Sequence, residues 1–340
     1  MKKIEVLDIE KGLRLIDLSL SEVAKFIGGT LIGEDQKIEY LSRLKFDKPE
    51  ITNLLTYVTS LEYWEMFCAS QHNSVIVNKN SIGDLPLGKS AIIVERNADQ
   101  VFFDLHEYLA KEGFYPKLKS HVGLDCNIHP SAVIYDNVII GNNVKIDANV
   151  VIYPNTIIDE GVVIKAGSII GGQGGEYKLR NGFRKRVTHT GGTYIGQNVE
   201  IGSVNTIDCH LMGFFTKILN GTKTDNQVQI AHNVEIGEDC TISSCTEISG
   251  SVIFGNGIWY GPHSCCTNEI IVGDGAFIAL GSILIHDVPA YGYMVGNPTR
   301  QTAWICKCHK HKLVFENNSA KCLCGREYKL AGDLVILERE

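Results

Sequence analysis

The sequence predicts a mainly β fold in which a long parallel β-helix follows an α/β domain and precedes a small cysteine-containing tail. Three observations in the 340 residues support this division. Isoleucines recur every six residues through the middle of the chain, the N-terminal third lacks that period, and paired cysteines cluster near the end. We expect the three domains to span 1–115, 116–298 and 299–340.

The N-terminal domain mixes helix-like and strand-like patterns. Leu20 to Ile27 and Val101 to Glu112 have the apolar spacing of amphipathic helices. Ser74 to Val77 and Ser90 to Val94 are short apolar runs of the kind that form buried strands. Helical and strand segments that alternate in this way predict an α/β fold.

The six-residue period predicts short strands separated by corners, each strand placing one aliphatic side chain inward. Small residues often follow the aliphatic one, as at Gly141 and Gly202, and suit a tight corner. Three such hexads close one coil, and coils stack at about 4.8 Å. Before a Gly-rich interruption, the period consists of Ile128, Ile134, Ile140, Ile146, Ile152, Ile158, Ile164 and Ile170. It resumes with Ile195, Ile201, Ile207, Ile218, Ile230, Ile236, Ile242 and Ile248, and continues to Leu284.

Composition and charge exclude several classes of protein. Apolar residues make up 44% of the chain and charged residues 21%, which is typical of a globular protein. The formal net charge of −7 disfavours a nucleic-acid partner. No apolar run is long enough for an integral membrane segment, and the N-terminus lacks the apolar core of a secretory signal. Eleven cysteines, an odd number, fit reduced thiols, so we expect a cytoplasmic protein.

His232 is the candidate catalytic residue within the repeat. It lies in T-D-N-Q-V-Q-I-A-H-N-V-E-I-G, residues 224 to 237, among the apolar residues of a strand pattern. Counting from the inward Ile230 places His232 at a corner, where its ring can point outward. A histidine titrates near neutral pH and can act as a general base. The alternative is a surface histidine that caps the corner.

The segment D-N-Q-V-Q-I-A-H-N-V-E-I-G resembles the family of UDP-3-O-acylglucosamine N-acyltransferases, enzymes of the lipid A pathway. The resemblance extends through I-G-Q-N-V-E-I-G-S-V-N-T-I-D and, in the N-terminal domain, through S-L-S-E-V-A-K-F-I-G-G-T-L-I-G and L-L-T-Y-V-T-S-L-E-Y. It implies a left-handed β-helix, a homotrimer with ligands in the grooves between subunits, and His232 as the catalytic base.

The resemblance also implies a uridine-binding role for the N-terminal domain. Tyr57 and Tyr63 match residues that sandwich uracil in the family, and Ser60 lies near the base edge. Aromatic rings recognise a flat base by stacking. Thymine stacks as well as uracil, so both UDP- and dTDP-linked sugars are candidates. The alternative is that these aromatic residues only pack in the core.

Further site residues follow from the same family segment. Asp225 matches it and either orients the imidazole of His232 or caps a turn, whereas Asp208 is expected to be a structural corner acid. Asn233, next to His232, and Asn268 are candidates for substrate contacts. Asn268 lies where the lipid A enzymes have a second histidine, which has no counterpart here. Backbone N–H groups near Gly250, one coil after His232, are placed to polarise a thioester carbonyl.

The acyl donor is expected to be acyl-CoA. V-G-N-P-T-R, residues 295 to 300, resembles CoA-dependent hexapeptide acetyltransferases of surface-sugar pathways, and the terminal helices that engage acyl carrier protein in the lipid A enzymes are missing. Arginine and lysine suit the phosphates of CoA, so the predicted contacts are Lys178, Arg180, Arg184 and Arg300. The alternative for the charged segment 178–186 is a solvated loop.

The tail carries two C-x-C pairs, Cys306 with Cys308 and Cys322 with Cys324. Two close pairs of thiolates suit a tetrahedral structural Zn²⁺. The one-residue gap is tighter than the usual C-x-x-C, so His309 and His311 are alternative ligands. Reduced thiols without a metal are the other interpretation.

Together these patterns predict an N-acyltransferase that moves an acyl group from a thioester to the amine of a nucleotide-linked amino sugar. One alternative is the lipid A reaction with a hydroxyacyl carrier protein as donor. The other is a β-helix that binds sugar nucleotides without catalysis.

Overall fold

A computed structural model describes residues 9–44, 51–180 and 182–340. The fold is mainly β, with a left-handed parallel β-helix as its largest part, as the sequence predicts. The chain forms two compact units. The first consists of 1–117, 175–191 and 211–214, and the second of 118–174, 192–210 and 215–340. Two segments from the middle of the chain therefore belong to the N-terminal unit, a division that the sequence pattern does not predict.

The β-helix has three parallel faces, named A, B and C in chain order. Face A consists of His121–Val122, Ile139–Ile140, Thr156–Ile158, Gly192–Ile195, Phe215–Ile218, Glu235–Ile236, Ile253–Phe254 and Ile271–Val272. The parallel part of face B consists of Asn127–Ile128, Lys145–Ile146, Val163–Ile164, Glu200–Ile201, Lys223–Thr224, Thr241–Ile242, Trp259–Tyr260, Phe277–Ile278 and Gly292–Val295. Face C consists of Val133–Ile134, Val151–Ile152, Ile169–Gly172, Thr206–Asp208, Gln229–Ile230, Glu247–Ile248, Cys265–Cys266 and Ile283–Leu284.

The inward isoleucines stack in register along each face. On face C, Ile207 pairs with Ile230 and Ile230 with Ile248. Ile230 and Ile248 have 0% of their surface exposed and Ile207 has 1%. Full burial of such a side chain contributes roughly 1.5–3 kcal/mol, so the three columns hold the prism together. The predicted inward positions are confirmed.

The corners show why the repeat needs particular residues. Three residues after most of the inward aliphatic residues, the backbone adopts a left-handed conformation, with φ of 57° at Asn143, 59° at Asn155 and 63° at Asn233. Asparagine tolerates this region better than most residues. The small residue directly after the aliphatic one is required for a different reason. A Cβ on Gly202 would overlap the backbone carbonyl oxygen of Asp225 in the next coil.

The N-terminal unit is an α/β domain, as predicted. Its five-stranded sheet has the order Thr30–Ile32, Ser90–Val94, Ser74–Asn78, Leu54–Val58 and Tyr40–Leu41, and only the first pairing is antiparallel. A two-stranded sheet pairs Leu18–Ser19 with Lys37–Ile38. The helices are α1 (Leu20–Ile27), α2 (Leu61–Ala69) and α3 (Ala98–Lys111), with a 3₁₀ turn at Lys79–Ser81. Reciprocal hydrogen bonds between Ser19 and Glu22 cap the start of α1.

The segment that interrupts the β-helix forms a hairpin, Tyr177–Arg180 with Phe183–Arg186, and this hairpin belongs to the N-terminal unit. Arg180 donates two hydrogen bonds to Asp104 Oδ1 of α3, at 3.1 and 2.7 Å. Thr188 donates from its N–H and its hydroxyl to Glu107 at 2.9 and 2.7 Å. These contacts attach the hairpin to one side of α3.

His106 lies at the centre of this attachment and is completely buried. Its Nε2 is 2.7 Å from the carbonyl oxygen of Thr188, which can only accept, so Nε2 carries the proton. Nδ1 then accepts from the hydroxyl of Tyr115 at 2.8 Å. Burial lowers the pKa of His106, which therefore stays neutral at pH 7.

The tail continues face B and then forms a second sheet. Arg300–Ile305 pairs antiparallel with Gly292–Val295, and Lys312–Leu313 pairs antiparallel with Arg300–Ile305. The second sheet consists of Ser319–Lys321, Glu327–Ala331 and Leu334–Arg339, all antiparallel. Across the described ranges, none of the helices is long and apolar enough to cross a membrane.

We predict that His106 makes the N-terminal unit sensitive to acid. The unfolded chain binds a proton at this histidine near pH 6.5, whereas the buried ring resists it because its folded pKa is lower. The free energy of unfolding should therefore fall as the pH drops below about 6.5. The measurement is urea unfolding at pH 7.5 and 5.5. His106→Gln should be less stable at pH 7.5 but lose less stability on acidification; an unchanged loss in this variant would contradict the assignment.

Candidate active site

His232 lies at the corner that leads from face C to face A, two residues after the inward Ile230. The residue is half-buried, and its Nδ1 is shielded from solvent. Its carbonyl oxygen accepts from the N–H of Ser251 in the next coil at 3.0 Å, which fixes the backbone at this corner. The predicted corner position of His232 is confirmed.

Gly250 occupies the same corner position as His232 in the next coil, since Ile230 pairs with Ile248. A Cβ on Gly250 would lie 2.8 Å from His232 Cε1 and 3.1 Å from Nε2. The imidazole therefore rests directly on the Gly250 backbone, and no side chain larger than hydrogen fits there without moving the ring.

Asp208 is a carboxylate that shares the surroundings of His232. A Cβ on Gly174 would lie 2.6 Å from Asp208 Oδ2 and 3.2 Å from His232 Cδ2, so the two side chains flank the same glycine. Gln229 donates to Asp208 Oδ2 at 3.4 Å. From the sequence alone, Asp208 is expected only to be a structural corner acid. The strand register shows why Asp208 lies close to His232. Ile207 pairs with Ile230, and this pairing places Asp208 one coil before Ala231, the neighbour of His232.

Asp225 lies at a different corner of the same coil, between face B and face C. Its Oδ1 accepts from the N–H of Asn226 at 2.8 Å, which caps the turn. It lines an open groove of about 350 Å³ on face B together with Lys165, Lys223 and Trp259. Of the two interpretations of Asp225, the structure shows the turn cap, and a role beside His232 stays a prediction.

The two asparagines predicted to contact substrate lie near the same edge of the prism. Asn233 follows His232 directly; its N–H donates to the Thr216 hydroxyl at 3.0 Å, and its side chain donates to Ser251 at 3.4 Å. Asn268 is exposed and occupies the corner position of His232 two coils later. At the coil spacing of about 4.8 Å, roughly 10 Å separates these corners.

Comparison with known proteins identifies the family of the chain. The family "Bacterial transferase hexapeptide (six repeats)" matches residues 137–172 and 215–250. The UDP-3-O-acylglucosamine N-acyltransferase of Campylobacter curvus is 37% identical over 295 residues, which cover 80% of this chain and 90% of the relative. The enzyme of the same name from Campylobacter concisus is 37% identical over 294 residues, with the same coverage.

The chain belongs to the UDP-3-O-acylglucosamine N-acyltransferase family. It is therefore an acyltransferase, which removes the alternative of a β-helix that binds sugar nucleotides without catalysis. Among solved structures, a UDP-N-acetylglucosamine acyltransferase from Campylobacter jejuni matches with a TM-score of 0.49 and 23% identity, over 55% of this chain and 71% of that chain.

The residues that the family resemblance assigns to uridine lie around the start of α2. Ser60 caps this helix by accepting from the N–H of Tyr63, whose side chain is 42% exposed. Tyr57 is half-buried in the strand before α2 and packs on Phe102 with ring centroids 4.7 Å apart. The exposed Tyr63 is available for stacking on a base, and the contacts of Tyr57 are those of core packing.

The basic residues predicted to bind the acyl donor have different surroundings. Lys178 lies near Asp99 and Glu176, and Arg180 is 16% exposed and paired with Asp104. Both side chains are thus held by ion pairs within the N-terminal unit. Arg184 and Arg300 are exposed. Contact with a donor stays a prediction and rests mainly on Arg184 and Arg300.

The four cysteines of the tail lie together, with their sulfur atoms all within 4.8 Å of one another. All eleven cysteines of the chain, each within the described ranges, are thiols. Of the alternative ligands, His311 lies beside the cluster, with Nδ1 3.6 Å from Cys308 Sγ and 3.5 Å from Cys322 Sγ. The His309 ring instead packs edge-on against Phe277 at 5.8 Å.

We predict that Gly250→Ala lowers kcat while leaving the fold intact. The new methyl group would meet the imidazole at 2.8 Å and displace it. A displacement of about 1 Å can cost on the order of 100-fold in rate. Gly172→Ala is the control glycine substitution on face C, because its Cβ would meet only Ile169 at 3.8 Å. Steady-state kinetics test this; equal activity of the two variants would show that the ring position is unimportant.

Proposed function

We propose that the protein transfers an acyl group from a thioester to the amine of a nucleotide-linked amino sugar, with His232 as general base. The observation that carries the proposal is the placement of His232 on an outward corner against Gly250 and beside Asp208. Membership of a family of N-acyltransferases supports the reaction class. The named relatives act on UDP-3-O-acylglucosamine, which supports a UDP-linked amino sugar as acceptor.

Acyl transfer to the amine requires one general base, which acts in a single step. The sugar amine attacks the thioester carbonyl, an N–C bond forms, and the amine loses a proton to the imidazole. The C–S bond then breaks, and the thiolate leaves and takes up that proton as the thiol. A general base placed at the amine contributes about 10²–10⁴-fold to such a step. The backbone N–H of Gly250 is proposed to stabilise the developing oxyanion.

Asp208 is proposed to orient the imidazole. A carboxylate beside the ring favours one tautomer and stabilises the imidazolium that forms when the base takes a proton. Asp225 caps its turn on the neighbouring corner. It reaches a catalytic position only if another copy of the chain brings its face B groove to the His232 edge, as a homotrimer of the family type would allow.

The N-terminal domain is proposed to hold the nucleotide. Tyr63 offers an exposed ring at the start of α2 for a uracil or thymine base, with the Ser60 hydroxyl nearby. For the sugar, the proposed contacts are Asn233 and Asn268, along the edge that carries His232.

The proposed acyl donor is acyl-CoA with a short acyl group. The segment Val295 to Arg300 supports it, because the exposed Arg300 suits a phosphate. The corner two coils after His232 is polar, since Thr267, Asn268 and Glu269 are all exposed there.

The lipid A reaction is the second candidate, and a separate observation favours it. On face A, Ile253 and Ile271 follow Glu235 in successive coils and are 47% and 53% exposed. Exposed isoleucines on the face next to the His232 corner provide an apolar surface for a long acyl chain. The names of the relatives fit this candidate equally well.

We predict that His232→Ala lowers kcat/KM by about 10²–10⁴-fold, because the amine then has no base. The side chain is outside the inward columns, so the melting temperature and the oligomeric state should stay unchanged. His286→Ala is the matched control, since exposed His286 has the same corner position three coils later. Amide formation is followed by mass spectrometry; a variant at position 232 with most of the wild-type kcat/KM would refute the base assignment.

We predict turnover with acetyl-CoA or hydroxybutyryl-CoA, using UDP- and dTDP-linked amino sugars as acceptors. Hydroxymyristoyl acyl carrier protein should react far more slowly, because a long chain would have to pass the polar corner at Asn268. The measurement is the amide yield with each donor at equal concentration. Turnover with the carrier protein alone would establish the second candidate and exclude the first.

A further inference from the structure

The C-terminal tail contains two turns with the same backbone geometry. One starts at Cys306, after Arg300–Ile305, and the other at Cys322, after Ser319–Lys321. In each turn the residue three positions on is left-handed, with φ of 55° at His309 and 100° at Gly325. The N–H of that residue donates to the carbonyl of the first cysteine, at 2.8 Å in one turn and 2.9 Å in the other.

The C-x-C spacing has a structural explanation in this repeated turn. The N–H of Cys308 donates to the sulfur of Cys306 at 3.4 Å, and the N–H of Cys324 donates to the sulfur of Cys322 at 3.5 Å. Each of these N–H groups holds the sulfur of the first cysteine close to the second cysteine of its turn. Both turns therefore present two sulfur atoms on one side.

The two turns face each other through their sulfur atoms. The Sγ atoms of Cys306 and Cys324 are 3.5 Å apart, and those of Cys308 and Cys322 are 3.7 Å apart. Zn–S bonds of about 2.3 Å in a tetrahedron place sulfur atoms roughly 3.8 Å apart. A disulfide requires about 2.05 Å, so these pairs are not bridged.

We propose that the four cysteines bind one structural Zn²⁺ that joins the two turns. Four sulfur ligands would fill the tetrahedral coordination of Zn²⁺ and leave no open position for substrate, as in structural rather than catalytic zinc sites. The site lies in the tail and is independent of the acyl-transfer proposal.

The side chains around the sulfur atoms suit a negatively charged centre. Four thiolates and Zn²⁺ carry a net charge of −2, and hydrogen-bond donors stabilise such a site. Arg326 donates to Cys324 Sγ at 3.5 Å. The Tyr328 hydroxyl accepts from the N–H of Lys307 at 2.9 Å and lies 3.2 Å from Cys306 Sγ, to which it donates.

His311 is assigned as a hydrogen-bond donor and not as a ligand. Its Nδ1 lies at hydrogen-bond distance from two sulfur atoms, those of Cys308 and Cys322. A metal ligand would instead place its nitrogen about 2.0–2.1 Å from the ion. Since four sulfur atoms already surround the central point, the ring supplies an N–H to the thiolates from outside.

The small core of the tail explains why it needs a metal. Its buried residues are Tyr291, Cys306, Leu313, Ala320, Cys322, Tyr328 and Val335, and two of these are ligands. A core of this size supplies only a few kcal/mol, and metal binding adds folding free energy directly. The ion also ties the tail to the last coils, because Tyr291 both contacts Tyr328 at 5.3 Å and accepts from the N–H of Ile305 at 2.8 Å.

The first experiment is elemental analysis and native mass spectrometry of the full chain, purified without added metal. We expect one zinc per chain. Iron as the main metal, or a metal-free protein that does not take up Zn²⁺, would overturn the proposal. X-ray absorption at the zinc edge should show four sulfur neighbours in the wild type and in His311→Ala. Three sulfur atoms and one nitrogen would overturn the four-cysteine assignment.

The second experiment compares two double variants of the full chain. Cys322→Ser with Cys324→Ser should lower the zinc content at least tenfold. Cys245→Ser with Cys265→Ser, which changes two half-buried thiols of the β-helix, should keep it unchanged. Full zinc occupancy in the tail variant would place the metal elsewhere. If the tail variant does not fold, the absorption spectrum of the wild type still decides between the outcomes.

Discussion

The stacking of inward aliphatic side chains is the constraint on which the rest of the β-helix depends. Each coil must present its isoleucines at the same height, so residues in neighbouring uninterrupted coils pair at a fixed offset, as Ile230 does with Ile248. The same offset aligns the corners. His232, Gly250 and Asn268 therefore lie one above another at the same corner of successive coils. The packing of the core thus determines the geometry of the candidate active site. Hydrophobic burial is not directional by itself. In closed and repeated coils, however, it fixes the position of each side chain along the β-helix.

Insertions are tolerated only where they leave this stack undisturbed. The segments 175–191 and 211–214 depart from corners and belong to the other compact unit. The strands on either side still pair, with one register shift between Ile170 and Gly172 near the start of the longer segment. The longer insertion is attached to α3 by Arg180 and by the buried His106. Gly174, at the point where this insertion leaves the coil, lies between Asp208 and His232. The residue at which this insertion begins is therefore part of the surroundings of the candidate base, His232.

The sequence predicted the repeat, the inward positions and the corner location of His232, because a six-residue period constrains all of them at once. It also predicted the helix Leu20–Ile27, whose start carries a capping box. It did not predict that the hairpin would join the N-terminal unit, since charge-rich loops resemble solvated ones until their partners are known. The sequence also did not predict that Asp208 lies beside His232, for a related reason. Its neighbour His232 lies 24 residues away in the chain, and only the insertion between their coils reveals the shifted register.

The reversal of chain direction at Arg300–Ile305 has a consequence for self-association. A parallel β-helix ends in a ring of backbone groups onto which another coil of the same kind could be added, so an uncovered end would template fibre growth. On face B the last parallel strand, Gly292–Val295, is instead paired with an antiparallel strand, and Lys312–Leu313 follows it. The tail thus covers the face B edge at this end, and a chain that lost the tail would expose the backbone groups of Gly292–Val295 to pairing with another chain.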